Sequence, residues 1–112
     1  MLKLAAIAFF LSLPAIAETG RASWYGGGER LGRHTENGER FRPDGLTCAH
    51  RTAKFGTRFK VTDLMTGRSV ICRVTDRGPF IRGRVLDLSR GAAQALGIIR
   101  RGTASVRIER VW

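Results

Sequence analysis

Apolar and polar residues alternate along several short stretches of this chain, which is the pattern of strands with one buried face. The stretches 58–64 and 68–75 both alternate and are separated by the turn residues Thr66 and Gly67, so we expect them to pair as a hairpin. A third alternating stretch covers residues 104–111. Shorter strands are predicted at 21–25, 46–49 and 84–86.

One short helix interrupts the run of strands. Ser89 can cap a helix over residues 90–96, and Gly97 can close it in the left-handed conformation. Five or six short strands with one helix predict a mainly β protein built as a small closed barrel.

The stretch from Val70 to Ser89 carries two aspartates at the ends of predicted strands. Asp76 follows an apolar strand and enters the turn at residues 77–79, and Asp87 lies just before the helix. Each has a structural alternative. An aspartate in a turn often accepts hydrogen bonds from the turn's own amides, and Asp87 can pair with Arg77 or cap the helix.

The first seventeen residues have the pattern of a secretory signal peptide. Lys3 supplies the positive charge, residues 4–13 form an apolar run, and residues 15–17 are a small-x-small cleavage signal. The run is shorter than the roughly 20 residues that cross a bilayer, so no transmembrane anchor is expected. No cysteine lies near the cut to carry a lipid. We expect a signal peptide at 1–17, one domain at 18–112, and a periplasmic or secreted protein.

Cys48 and Cys72 are the two cysteines of the chain. In an oxidising compartment an even pair favours a disulfide, whereas a metal site or a catalytic thiol is the alternative. No acid or histidine adjoins either cysteine in sequence to activate a thiol. The two histidines and the scattered acids have no ligand-like spacing, so neither a metal nor another cofactor is expected.

The chain is strongly basic, with 20 Lys and Arg against 9 Asp and Glu and a formal net charge of +11. Removing the signal peptide takes away Lys3 and no acid, which leaves +10. Such a charge favours anionic partners. Export makes an anionic envelope polymer the expected partner rather than nucleic acid, and a basic surface that only aids solubility is the alternative.

Several spaced motifs give the chain a resemblance to a known family. The motifs are ASWYG (22–26), TENGERF (35–41), LTCAH (46–50), FGTRFKVTDLMTGRSV (55–70), VTDRGPF (74–80) and GRVLDLSRGAAQALG (83–97). In this order they resemble the rare lipoprotein A (RlpA) family. The resemblance implies a six-stranded double-psi β-barrel with one or two short helices, a location in the cell envelope, and lytic transglycosylase action on the glycan strands of peptidoglycan.

The resemblance also implies a catalytic site at Glu39, His50 and Asp76. Asp87 falls where the related barrel of membrane-bound lytic transglycosylase A keeps an aspartate, so it is a possible second acid. Family members commonly have an acid three residues after Glu39, but Arg42 stands there in this chain, and the nearest acid is Asp44.

A lytic transglycosylase needs a protonated carboxyl to donate to the leaving oxygen and a second group to stabilise positive charge at the sugar. The muramic acid's own hydroxyl then attacks and gives a 1,6-anhydro product. We expect Asp76 to be the general acid/base, Glu39 its partner carboxylate and His50 an orienting or sugar-binding residue. Asp87 is expected to be a structural anchor.

Aromatic residues near the strand ends can stack on sugar faces, although apolar packing is their common alternative. Trp24 and Tyr25 are adjacent and should point to opposite sides of their strand. Expected substrate-binding residues are Trp24, Tyr25, Phe41, Arg77 and Phe80.

Two other functions stay open at this point. Arg42 favours a glycan-binding or wall-loosening module without turnover, similar to the barrel of expansins. The many arginines are also compatible with a basic secreted effector that binds an anionic polymer or a membrane surface. A monomer is expected in each case.

Overall fold

The computed structural model describes residues 17–26 and 34–111. The predicted signal peptide therefore lies almost wholly outside the described residues, as does part of the polar segment that precedes Thr35. The elements are β1 (Ala17–Tyr25), β2 (Thr47–Ala49), β3 (Arg58–Asp63), β4 (Ser69–Asp76), β5 (Arg84–Ser89), α1 (Arg90–Leu96) and β6 (Ala104–Val111).

The six strands form a closed barrel in the order β1-β5-β2-β4-β3-β6. β1 pairs with β5 and β2 pairs with β4 in parallel, and the other four pairs are antiparallel. The predicted hairpin is the antiparallel pair of β3 and β4. The prediction of a small, mainly β, closed barrel is confirmed.

Two strands extend beyond the stretches predicted for them. β1 begins at Ala17 rather than at residue 21, because its first half pairs with β6 while its second half pairs with β5. β5 continues to Ser89 because Leu86 and Leu88 are fully buried and its neighbours β1 and β2 hold both of its edges.

The barrel interior is filled by the inward-facing apolar residues of the strands. Phe59 and Val61 of β3 alternate with exposed or half-buried residues, and the same alternation runs through most of β4. Cys48 and Cys72 are both fully buried and form the predicted disulfide, which joins β2 to β4 with a Cα–Cα distance of 5.8 Å. The three-residue strand β2 is thus held covalently to its neighbour β4.

Helix α1 covers one side of the barrel and has the predicted caps. The Ser89 side chain accepts a hydrogen bond from the Ala92 backbone amide, and Gly97 has a φ of 84°. The buried face consists of Ala92, Ala93 and Leu96. Small residues there let the helix lie close to the strands that surround it. Among the described residues, no helix is long and apolar enough to span a membrane.

Candidate active site

The two aspartates of interest end up two strands apart at the same level of the barrel wall. Asp76 of β4 lies opposite Ala49 of β2, and Ala49 lies opposite Asp87 of β5. Asp87 in turn lies opposite Ser23 of β1. β2 runs parallel to β4 and antiparallel to β5, and this register places residues that are far apart in sequence side by side in the barrel wall.

The Asp76 carboxylate is held in a fixed position by backbone amides. Its Oδ1 accepts hydrogen bonds from the backbone N–H of Arg77 at 3.0 Å and of Glu36 at 3.2 Å. The first bond is the local turn contact that a structural role would give, but the second comes from a segment 40 residues away. The half-buried carboxyl group is therefore positioned by the loop that also carries Glu39.

Glu39 is held by an ion pair with two parallel hydrogen bonds. Arg73 donates to its two carboxylate oxygens at 2.6 and 2.7 Å, and Asn37 donates to Oε2 at 3.1 Å. The hydrogen bonds from Arg73 lower the pKa of Glu39 from 4.5 to about 2, with smaller contributions from Asn37 and from the charge of Arg42. Glu39 is thus an anion at any physiological pH and is unsuited to donate a proton.

This ion pair gives a pH-dependent stability that Glu39→Gln should remove. Because the pKa of Glu39 is lowered on folding, its stabilisation is complete above about pH 4.5 and is lost as the pH falls toward 2. The pair is partly exposed, so we expect a loss of at most about 1 kcal/mol at pH 7. Thermal unfolding of parent and variant should differ at pH 7 and coincide near pH 2.

The matched control is Glu36→Gln, which removes an exposed acid from the same loop while the backbone amide that reaches Asp76 remains. It should change the melting temperature little at either pH. A Glu39→Gln difference that is the same at pH 7 and pH 2 would show that the ion pair is not its origin.

His50 lies beside Asp76 through its backbone, while its ring faces another direction. The His50 backbone amide donates to the Asp76 carbonyl at 3.2 Å. Its Nδ1 accepts hydrogen bonds from the amides of Thr52 and Ala53, which leaves the proton on Nε2, 3.2 Å from Glu18 Oε1. The ring lines a cavity of about 290 Å³, whose other lining residues include Glu18, Lys54, Phe59 and Arg110.

Arg77 joins two loops next to Asp76. Its Nη1 donates to the carbonyls of Ala53 at 2.7 Å and of His50 at 3.3 Å, and its guanidinium lies 4.0 Å from the centre of the Phe55 ring. These contacts fix the segment after β2 against the end of β4. They also make Phe55, 39% exposed, a further aromatic surface near the aspartate.

The other aromatic residues predicted to bind substrate differ in how exposed their rings are. Trp24 packs against the core, whereas the next residue, Tyr25, contacts Phe41 at a ring-centre distance of 5.4 Å. Phe80 is 78% exposed. Tyr25 and Phe41 therefore form one flank of the site, and Phe80 extends from the loop that follows Asp76.

The Tyr25 hydroxyl is buried close to both aspartates. Burial raises the pKa of Tyr25 well above its usual range, and the charges of Asp76 and Asp87 act in the same direction, while Thr47 lowers it. The hydroxyl makes no hydrogen bond of normal geometry with the described residues. A neutral phenol in this position can donate to a carboxylate or to a ligand.

The two possible second acids have different surroundings. Asp87 is half-buried, and its Oδ1 accepts a hydrogen bond from the Ser23 hydroxyl at 2.7 Å. Ser89, rather than Asp87, caps the helix. Asp44 is exposed, and it does not line the cavity that contains Glu39.

The cavity around Glu39 has a volume of about 230 Å³ and lies between the 35–47 segment and β4. Arg40, Arg42, Arg73 and Thr75 contribute to its walls. Within residues 17–26 and 34–111, no group of three or more His, Cys, Asp or Glu side chains is arranged to hold a metal ion.

Sequence reasoning missed four residues that shape the site. Arg73 and Asn37 hold Glu39, Phe55 stacks on Arg77, and Thr75 lies in the cavity wall. The alternation of β4 places Arg73 on the side opposite the core, which is a weak signal. No local signal identifies which acid it pairs with, because Glu39 is 34 residues away.

Comparison with known proteins agrees with this architecture. The solved structure of apo expansin from Clavibacter michiganensis is similar with a TM-score of 0.68 and 25% identity, over 87% of this chain and 51% of that chain. The fold is a double-psi β-barrel, as the sequence resemblance predicted.

Sequence comparison defines the family. The model of the family described as "Lytic transglycolase" matches residues 17–108. The probable endolytic peptidoglycan transglycosylase RlpA of Nostoc sp. is 58% identical over 91 residues, covering 80% of this chain and 24% of the relative. The endolytic peptidoglycan transglycosylase RlpA of Campylobacter jejuni is 47% identical over 103 residues, covering 90% of this chain and 37% of the relative.

This chain belongs to the lytic transglycolase family and, within it, to the RlpA proteins. It spans 24% and 37% of the lengths of these two relatives.

Proposed function

We propose that this protein is an endolytic lytic transglycosylase that cuts the MurNAc–GlcNAc bond of peptidoglycan and releases a 1,6-anhydro product. The observation that supports this most is that two carboxylates, Asp76 and Glu39, are linked by one loop and are held by different kinds of contact. Asp76 is positioned by two backbone amides, and the loop that supplies one of them also carries Glu39, which Arg73 keeps ionised. One site thus offers a carboxyl group for proton transfer and a permanent anion.

The roles follow from these contacts. Asp76, in its protonated form, donates its proton to the glycosidic oxygen as the bond to C1 of the MurNAc ring breaks. The C6 hydroxyl of the same ring attacks C1 and returns a proton to the Asp76 carboxylate. Glu39 is the partner carboxylate of Asp76, and it shares its charge with Arg73. No protein nucleophile and no attacking water are required.

The surrounding residues are proposed to hold the glycan strand. Tyr25, Phe41 and Phe80 offer ring faces or a hydroxyl, Trp24 supports that surface from the core side, and Arg77 fixes the adjoining loops. The His50 ring faces Glu18, so we propose that it orients the segment after β2 and binds sugar from the neighbouring cavity. The protein acts as a periplasmic or secreted monomer, and its basic surface favours anionic envelope polymers.

A glycan-binding module without turnover is the second candidate. Arg42 stands where the resemblance implies an acid, and its positive charge contributes to the low pKa of Glu39. If the missing acid is needed for proton transfer, the same barrel would bind glycan strands and leave them uncut.

Digestion of purified sacculi separates the two functions. The transglycosylase should release fragments with 1,6-anhydromuramic ends, detected by mass spectrometry, and sedimentation of sacculi reports binding in parallel. Binding without anhydro products across the pH and salt ranges tested would favour the binding module and refute the enzyme.

A further inference from the structure

The cavity beside Glu39 carries more positive charge than the catalytic role requires. Among the described residues, its walls include three arginines, at positions 40, 42 and 73, and a single acid, Glu39. Arg73 is the bidentate partner of that acid, so the pair leaves no net charge. Within the part of the chain that the structure describes, the side chains of Arg40 and Arg42 form no hydrogen bond or close ion pair. The cavity is therefore cationic.

A residue with a buried hydroxyl lines the same cavity. Thr75 is only 1% exposed, yet it contributes to the cavity wall. Its Oγ1 has no hydrogen-bond partner among the described residues. A buried hydroxyl without a partner is costly, so this atom is suited to donate to a ligand oxygen. Thr75 directly precedes Asp76, and Glu39 in the same cavity belongs to the loop whose Glu36 amide binds the Asp76 carboxylate.

The backbone that carries Arg42 is fixed rather than free. The Gly45 amide donates to the Arg42 carbonyl at 3.0 Å, and the Ser89 hydroxyl donates to the Gly45 carbonyl at 2.6 Å. The Gly91 amide donates a hydrogen bond to the Pro43 carbonyl at 2.8 Å. A Cβ at Gly91 would lie 2.4 Å from the Asp44 carbonyl oxygen, so a glycine is needed for this close approach.

We infer that this cavity is a subsite for a carboxylate carried by the glycan strand, bound by Arg42 with Thr75 donating to it. The inference rests on the proposed function for its choice of glycan. Arg42 and Thr75 both line this cavity, and a guanidinium together with a hydroxyl matches a planar anion with two acceptor oxygens. A neutral sugar would offer no anionic partner to the guanidinium of Arg42.

Peptidoglycan offers two sources of this chemistry. The lactyl group on the MurNAc ring ends in a carboxylate wherever the strand has lost its stem peptide, and the stem peptide itself carries carboxylates. Three small probes separate them: GlcNAc–MurNAc with a free lactyl carboxylate, the same disaccharide with a tetrapeptide, and the neutral disaccharide chitobiose. None contains a MurNAc–GlcNAc bond, so binding is measured without cleavage.

The experiment is an amide chemical-shift titration of the full protein with each probe at low salt. We expect at least one acidic probe to bind roughly three- to tenfold more tightly than chitobiose, with shifts near residues 42–47 and 75. Tighter binding of the disaccharide identifies the lactyl carboxylate, and tighter binding of the muropeptide identifies the stem peptide. Arg42→Gln should bring the ratio to chitobiose close to one.

Two further variants make the test specific. Arg100→Gln removes the same charge from an exposed position between α1 and β6 and should leave the ratio unchanged. Thr75→Val removes the hydroxyl at nearly constant volume and should lower the affinity for the acidic probe without unfolding the protein.

The inference is overturned if chitobiose binds as tightly as both acidic probes, or if Arg42→Gln and Arg100→Gln weaken binding equally. Equal weakening, with inorganic polyphosphate displacing the acidic probe, would instead identify a general basic surface for anionic polymers. These outcomes do not depend on turnover. A sacculus digest without anhydro products, combined with an Arg42-dependent ratio, would refute the enzyme and leave the subsite standing.

Discussion

Asp76→Asn is expected to lower the release of 1,6-anhydro products from sacculi by about 10²- to 10⁴-fold, the usual contribution of a general acid or base. Asparagine keeps an Oδ1 that can accept the amides of Glu36 and Arg77, so the loop that carries Glu39 should stay in place. Its amide has no acidic proton to give to the glycosidic oxygen. Initial rates of product release measure the effect, while sedimentation with sacculi and thermal unfolding should match the parent.

The matched control is Asp44→Asn, which makes the same change at an exposed acid outside the cavity. It should retain nearly full activity, and equal losses in the two variants would contradict the assignment of Asp76. Asp87→Asn keeps an oxygen for the Ser23 hydroxyl and should cause a smaller loss than Asp76→Asn. A larger loss in the Asp87 variant would move the role of general acid to Asp87.

Removing the disulfide should cost about 3 kcal/mol of the free energy of unfolding, because the bond closes a loop with a sequence separation of 24 residues. Alanine at both positions, Cys48→Ala with Cys72→Ala, avoids placing a hydroxyl in the fully buried sites. Equilibrium urea unfolding measures the change. For a small domain this is a large fraction of the total stability.

Reductant provides the control for this variant. It should lower the urea midpoint of the parent to a similar extent and leave the double variant unaffected. If both the reduced parent and the double variant unfold at the midpoint of the oxidised parent, the disulfide does not stabilise the fold. Activity should decline with stability, since β2 carries Thr47 and Ala49 to the site and ends immediately before His50.

Most of the barrel was predictable because its strands obey local rules. β3 and β6 alternate clearly, and α1 has a capping serine and a closing glycine, so their bounds were predicted to within a residue. The first half of β1 was missed because Glu18, Thr19 and Gly20 have no apolar alternation. That segment is a strand because β6 provides its hydrogen-bond partners.

The candidate site was predictable only as a set of residue types. The turn after β4 and the family motifs predicted Asp76, Glu39 and His50 as candidates, but no local pattern shows what a side chain 34 residues away will contact. The ion pair of Glu39 with Arg73 and the direction of the His50 ring toward Glu18 depend on how the loops pack on the finished barrel. The adjacent positions of Trp24 and Tyr25 did predict that they would face different surroundings.

The contacts that close the barrel join distant parts of the chain, and this bears on when the proposed activity could begin. Ser23 meets Asp87 across 64 residues, and β6, the final strand, completes the wall between β1 and β3. Contacts of such long sequence separation form late and slowly during folding. A partly synthesised chain therefore has the acidic residues but lacks the assembled site. The proposed wall-cutting activity would then require the whole domain to have folded.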